Sequence, residues 1–197
     1  LGTQRGDRIA TIGYNHTDMV VIYFACWLVG AAVAPQNIAE DDTRIAFILR
    51  NSEAKVVFAM HDQLERAQHI VNDGSGADGE LGAPNIMGII QVGGEAQDDV
   101  PFFYDLVANR PTSFLGDDSG AKGADVPMSG GNERTATLHD DALLVYTSGT
   151  TGAPKGVVLS QYNLLVDAQS ISQWQAITGN QRTMEVLPIH HVNGIVV

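Results

Sequence analysis

The chain has 197 residues, 44% of them hydrophobic and 17% charged, which excludes a disordered chain and leaves enough length for a substantial core. The net charge of −12 excludes nucleic-acid binding by bulk electrostatics, because phosphate contacts need clustered Lys and Arg. The single cysteine, Cys26, excludes an internal disulfide framework and fits a reducing, cytoplasmic setting.

No cationic segment with a small-residue cleavage site stands near Leu1, so no secretion signal is read. The lysines are Lys55, Lys122 and Lys155. The acidic balance reads as an ordinary acidic surface or as a mild salt adaptation.

Residues 8–14 alternate loosely around Ile9 and Ile12 and predict a strand. Residues 19–35 carry no charge. The run is shorter than the about 20 apolar residues of a spanning helix, and it holds Gly30 and Pro35. It predicts a helix over 18–29 that Thr17 or Asp18 caps, apolar on every side and hence buried. A buried strand follows near 31–34, and a membrane anchor is the competing reading.

Residues 42–51 set Ile45, Ile48 and Leu49 on one helical face. A β-branched and aromatic strand is predicted over 55–60, then a helix over 62–72 with Leu64, Ala67, Ile70 and Val71 at helical spacing. An apolar strand follows over 86–92. The alternation of strand and helix predicts an α/β sheet with flanking helices, largely parallel through right-handed crossovers. Residues 115–132, rich in Gly, Asp and Ser, predict a flexible surface loop. Strands are predicted over 142–146 and 156–159. Ser160 or Asn163 then opens a helix to about residue 177, buried through Leu164, Leu165, Ala168 and Ile171. Residues 184–187 predict a last strand, and no internal repeat is found.

Three local patterns carry little. Gly74-Ser-Gly-Ala-Asp-Gly79 spells G-x-G-x-x-G, but it follows a predicted helix, where a dinucleotide fingerprint follows a strand and opens a helix. Asn15-His16-Thr17 spells a glycosylation acceptor and reads instead as a strand-to-helix turn with a cap. His190 and His191 are adjacent, so their side chains diverge on a strand, and no Cys or carboxylate stands at ligand spacing; no metal ligand is assigned.

Chemistry concentrates in Tyr146-Thr-Ser-Gly-Thr-Thr-Gly-Ala-Pro-Lys-Gly156. Glycines let backbone N–H groups close around an anion. Thr147, Ser148, Thr150 and Thr151 supply hydroxyl donors, and Lys155 supplies a point charge. It is not a Walker loop. Counted from Gly149, the second glycine position falls on Pro154, Gly156 stands where Ser or Thr belongs, and a strand follows rather than a helix.

This stretch, continued by Val157-Val-Leu-Ser-Gln-Tyr-Asn-Leu-Leu165, resembles the phosphate-loop signature of the adenylate-forming superfamily, which includes AMP-forming acyl-CoA synthetases. Gly6-Asp-Arg-Ile-Ala10 through Gly30-Ala-Ala-Val-Ala-Pro35 is similar to the start of these enzymes. Leu187-Pro-Ile-His-His-Val-Asn-Gly194 is similar to their acyl-pocket motif. Gln161 stands where relatives usually carry a histidine.

The resemblance implies that Thr147, Ser148, Gly149, Thr150, Thr151, Gly152 and Lys155 surround the ATP phosphates, and that His191 is the acyl-site histidine. A core or strand-edge histidine is its competing reading. The resemblance implies ATP, Mg²⁺ and CoA as cofactors and co-substrates, with a small carboxylic acid, fatty or otherwise apolar, as the group activated. The reaction implied is acyl-adenylate formation followed by thioester formation. An amino-acid adenylation domain loading a carrier protein and a non-catalytic nucleotide-binding remnant are the alternatives. The organisation implied is an incomplete N-terminal domain over 1–197, with an α/β segment over 1–114, a flexible loop over 115–140 and the phosphate-loop hairpin, helix and acyl-pocket segment over 141–197. The C-terminal domain, with its catalytic lysine, is expected beyond Val197. The isolated chain is expected not to turn over.

Overall fold

The computed structural model describes residues 2–73, 81–108, 136–147 and 154–196. The G-x-G-x-x-G stretch and the loop expected over 115–132 lie outside them. In chain order the elements are β1 (Arg8–Ile12), α1 (Thr17–Leu28), β2 (Ala32–Gln36), α2 (Asp42–Asn51), β3 (Val56–Met60), a 3₁₀ turn (His61–Gln63), α3 (Leu64–Asn72), β4 (Gly88–Val92), α4 (Phe103–Ala108), β5 (Asp141–Thr147), β6 (Lys155–Ser160), α5 (Gln161–Trp174) and α6 (Asn193–Val196).

The strands form one six-stranded sheet in the order β4-β3-β1-β2-β5-β6. Every neighbouring pair is parallel except β5 and β6, which form an antiparallel hairpin. The expected α/β architecture is therefore present. Chain order reverses at β1, with β2 on one side and β3 on the other. In open parallel sheets, ligands bind at the carboxyl ends of the strands beside such a reversal.

Strands buried on both faces read as continuous apolar runs, and β2 and β3 are buried at every residue. One face packs Ala10, Ile12 and Val57 against Ile45, Leu49, Leu64 and Ile70 of α2 and α3. The other packs Ile9, Val33, Phe58 and Leu143 against Met19, Ile22, Tyr23 and Cys26 of α1, and against Leu164 of α5.

Several expectations are corrected. Helix α1 is not buried all round: Val20, Val21, Phe24 and Leu28 are exposed. The sheet takes the stripe Met19, Ile22, Tyr23 and Cys26, at spacings of three and four, and a helix has only one such face to give. Its cap is His16, whose Nδ1 accepts the Asp18 N–H at 3.2 Å, rather than Thr17 or Asp18. On α5, Leu164 is buried and Leu165 exposed. Consecutive helical residues point about 100° apart, so a narrow contact takes one of the two.

Residues 184–187 form no strand. A strand needs a ladder partner, and here the backbone is tied instead by side chains. The Leu187 N–H donates to Glu185, and Asn15 holds the next residues. Helix α4 and the short α6 were not read from the sequence. No helix among the described residues is long and apolar enough to cross a membrane.

Candidate functional site

Because β1, β2 and β5 run parallel, the turns leaving their carboxyl ends share one edge of the sheet. Three features meet on that edge: the hairpin after β5, the segment after β2 that holds Glu40, and the loop after β1 that holds Asn15.

Thr147 ends β5 and Lys155 begins β6, and the antiparallel register sets them directly opposite each other. Both side chains are exposed at the mouth of the hairpin. Ser148, Gly149, Thr150, Thr151 and Gly152 lie outside the described residues. Below the mouth, Tyr146 faces Gly156. The Tyr146 hydroxyl donates to Asn51 Oδ1 of α2 at 2.8 Å. A Cβ on Gly156 would meet Cζ of that ring at 3.0 Å. The glycine thus leaves room for an aromatic ring that ties the hairpin to α2.

His190 and His191 lie in a turn rather than on a strand. Ile189 between them and the preceding chain is buried, His190 is half-buried and His191 is exposed. Burial, reinforced by the neighbouring His191, pushes the His190 pKa down, while Glu40 opposes the shift. Glu40 itself pairs with Arg44 at 2.9 Å. Its backbone is held by Arg66, which donates to Ile38 O at 2.7 Å, to Glu40 O at 2.6 Å and to Asp42 Oδ1 at 2.7 Å. The turn then closes on itself: His191 N–H donates to Pro188 O at 3.0 Å, and Gly194 N–H to His191 O at 3.0 Å.

The register therefore brings Thr147 and Lys155 together, and strand direction sets them on the same edge as the turn bearing His191. Gln161, the first residue of α5, donates to Trp27 O at 2.8 Å and serves the packing of α5 on α1. Sequence reading missed Asn15, Tyr23, Glu40 and Tyr146 as supports. The carboxamide placed just past a buried strand, in the loop that opens a helix, was the available signal for Asn15.

The donor set suits an anion. A hydroxyl and an ammonium face outward at the hairpin mouth, and in a chain of net charge −12 they form a local exception. The same donors do not suit Mg²⁺, which prefers carboxylate oxygens. Among the described residues no three His, Cys, Asp or Glu side chains gather as a metal cage.

All 197 residues match the family model of AMP-binding enzymes. The chain belongs to that family. This AMP-binding chain is 30% identical over 196 residues to a long-chain-fatty-acid–CoA ligase of Thermus thermophilus, an alignment covering 98% of the chain and 31% of that protein. It is 25% identical over 195 residues to a mitochondrial malonate–CoA ligase of Homo sapiens, covering 99% of the chain and 28% of that protein. The solved structure of a long-chain-fatty-acid–CoA ligase from Archaeoglobus fulgidus shares its fold, with a TM-score of 0.71 at 24% identity, over 99% of this chain and 33% of that one. The AMP-binding chain thus spans about three tenths of the length of the curated relatives it matches.

Proposed function

We propose that this chain carries the ATP-phosphate and acyl-site portion of an AMP-forming carboxylate–CoA ligase. In the reaction assigned to the whole enzyme, a carboxylate oxygen attacks the α-phosphorus of ATP. The acyl-adenylate forms and pyrophosphate leaves; a CoA thiol then displaces AMP. The observation that carries this reading is the exposed Thr147–Lys155 pair on the same sheet edge as the His191 turn, within a chain of the AMP-binding family.

The work of these residues is positioning and neutralisation of charge. In this reading, Thr147 and Lys155 hold the departing pyrophosphate together with Ser148, Gly149, Thr150, Thr151 and Gly152. Donors fixed before reaction stabilise charge that develops on the leaving group without reorganising. His191 faces the acid. Mg²⁺ would accompany the nucleotide and supply counter-charge to its phosphates.

Relatives are named for malonate and for long-chain fatty acids. We assign an apolar acid, because Val20, Tyr23, Phe24 and Ile189 line a cavity of about 770 Å³ that reaches the turn at Gly194 but not His191 itself, with Glu185 also on its wall. Carboxylate-dependent exchange of pyrophosphate into ATP tests the reading. The protein expressed from its complete reading frame is expected to exchange with fatty or aryl acids. The 197-residue chain by itself is expected to give none. Absence of exchange with any acid in the complete protein would overturn the proposal.

A further inference from the structure

Asn15 lies in the loop between β1 and α1, far in sequence from the segment it holds. Its Nδ2 donates to Leu187 O at 2.7 Å, and its Oδ1 accepts the Ile189 N–H at 2.9 Å. A planar carboxamide offers one donor edge and one acceptor edge. Here they meet the carbonyl of one residue and the N–H of the residue two further on. A neighbouring strand makes that same pair of contacts, so a single side chain stands in for the ladder that residues 184–187 lack.

A second tie reinforces the first. Tyr23 of α1 donates its hydroxyl proton to Ile189 O at 3.2 Å. With that proton committed, the Thr11 hydroxyl at 3.3 Å is the donor to the Tyr23 oxygen. Three hydrogen bonds, two from Asn15 in the loop after β1 and one from Tyr23 of α1, therefore fix the backbone of Leu187 and Ile189, immediately before His190 and His191. The residues ahead, 181–186, have no regular structure and are exposed; from them the turn receives the Glu185 carboxylate, which accepts the Leu187 N–H.

We propose that Asn15 is a positioning residue for the acyl site: its carboxamide sets the backbone that carries His191. The inference rests on the acyl-site role given to His191 above. It assigns a purpose to the Asn-His-Thr triplet that differs from glycosylation, since both polar atoms of the Asn15 side chain are engaged.

The experiment uses the complete protein with four variants: Asn15→Ala, Asn15→Asp, His191→Ala and the double variant Asn15→Ala with His191→Ala. Acid-dependent pyrophosphate exchange gives KM for the acid and for ATP. Amide hydrogen exchange reports the Leu187–Ile189 backbone. Asn15→Ala is expected to speed exchange at Ile189 and to lower kcat/KM for the acid about tenfold, with KM for ATP unchanged. Asn15→Asp keeps the acceptor for Ile189 N–H but sets a carboxylate oxygen against Leu187 O, so it is expected to lose at least as much as Asn15→Ala. The double variant is expected to lose no more than His191→Ala alone, because both act through one group. Additive losses, or an equal loss of acid and ATP binding, would show a general folding role and overturn the proposal. Unchanged amide exchange at Ile189 in Asn15→Ala would overturn it as well. An inert His191→Ala beside a damaging Asn15→Ala would instead remove the acyl-site role of His191, and with it the purpose assigned to Asn15.

Discussion

At the scale of single residues, two positions carry opposite demands. Lys155 is exposed at the hairpin mouth. A charge-assisted hydrogen bond to phosphate contributes about 1.5–3 kcal/mol. Lys155→Ala in the complete protein is therefore expected to slow pyrophosphate exchange by about tenfold to a hundredfold, with the urea midpoint unchanged; an unchanged exchange rate would remove the role given to this ammonium. Gly194 is the reverse case. A Cβ there would sit 2.4 Å from Pro188 O and 2.9 Å from Leu187 O. Those are backbone atoms, so no rotamer relieves the overlap. Gly194→Ala is expected to open the turn that carries His191 and to cost about 1–3 kcal/mol, the range for overpacking. Denaturant titration reads the cost, and KM for the acid reads the displaced turn. The place of Lys155 at the start of β6, opposite the end of β5, was legible in the sequence because a Gly- and hydroxyl-rich turn separates two apolar runs. The ties of Asn15 and Tyr23 were not, because they span about 170 residues and only the fold brings them together.

At the scale of elements, helix α5 shows how a start signal is read and tested. Ser160 Oγ accepts the Asn163 N–H at 3.2 Å, and Asn163 Oδ1 accepts the Ser160 N–H at 3.0 Å. This reciprocal pair is a capping box built with Asn in place of the usual Glu or Gln. The sequence offered Ser160 or Asn163 as the opener; Ser160 is the cap and Asn163 its partner three residues on. Helix α5 follows directly on the hairpin, so its start fixes where β6 must end. Ser160→Ala is expected to cost about 1 kcal/mol, seen as a lower melting temperature and faster amide exchange in the first turn. A variant as stable as the parent would mean that packing of Leu164 alone sets the start. The strands were legible for a simpler reason: β3 is buried and apolar throughout, and β2 is buried throughout and apolar up to Gln36. The cap of α1 was not legible, because histidine is an unusual cap and two ordinary cap residues, Thr17 and Asp18, follow it. The exposed face of α1 was hidden too. Its outer residues are as apolar as its inner ones, so composition could not tell which side meets the sheet.

At the scale of the whole molecule, one sheet joins the front and back of the chain, and charged pairs pin the join. Arg5 donates to Asp140 Oδ1 through Nε at 2.9 Å, and Asp140 Oδ2 accepts the Thr137 N–H at 2.7 Å. The partners lie 135 residues apart, so this contact closes the N-terminal segment onto the start of β5. Lys55 likewise reaches Asp7 at 2.6 Å and ties the entry of β3 to that of β1. Partial burial of each carboxyl raises its pKa, but the opposing cation and a backbone N–H outweigh it, so Asp7 and Asp140 both stay below the ordinary carboxylate range. The sign follows. In the unfolded chain these carboxylates take up protons first, so the unfolded state binds more protons across that interval and stability rises with pH. Their contribution is present at neutral pH and is lost as pH falls through the depressed folded values, below about pH 4. His190 adds to the same trend at a higher pH. Its pKa is lowered chiefly by burial, so as pH falls below the ordinary histidine range the unfolded chain takes up the proton first and acid must charge a half-buried ring. The urea midpoint is therefore expected to fall in two stages between neutral and acid pH. Asp140→Asn removes the lower-stage proton, and so should flatten the decline below about pH 4 while lowering the neutral midpoint through the lost pair with Arg5. His190→Gln should flatten only the upper stage. A decline at low pH as steep in Asp140→Asn as in the parent would show that the Arg5 tie is screened by water and that other carboxylates govern acid unfolding.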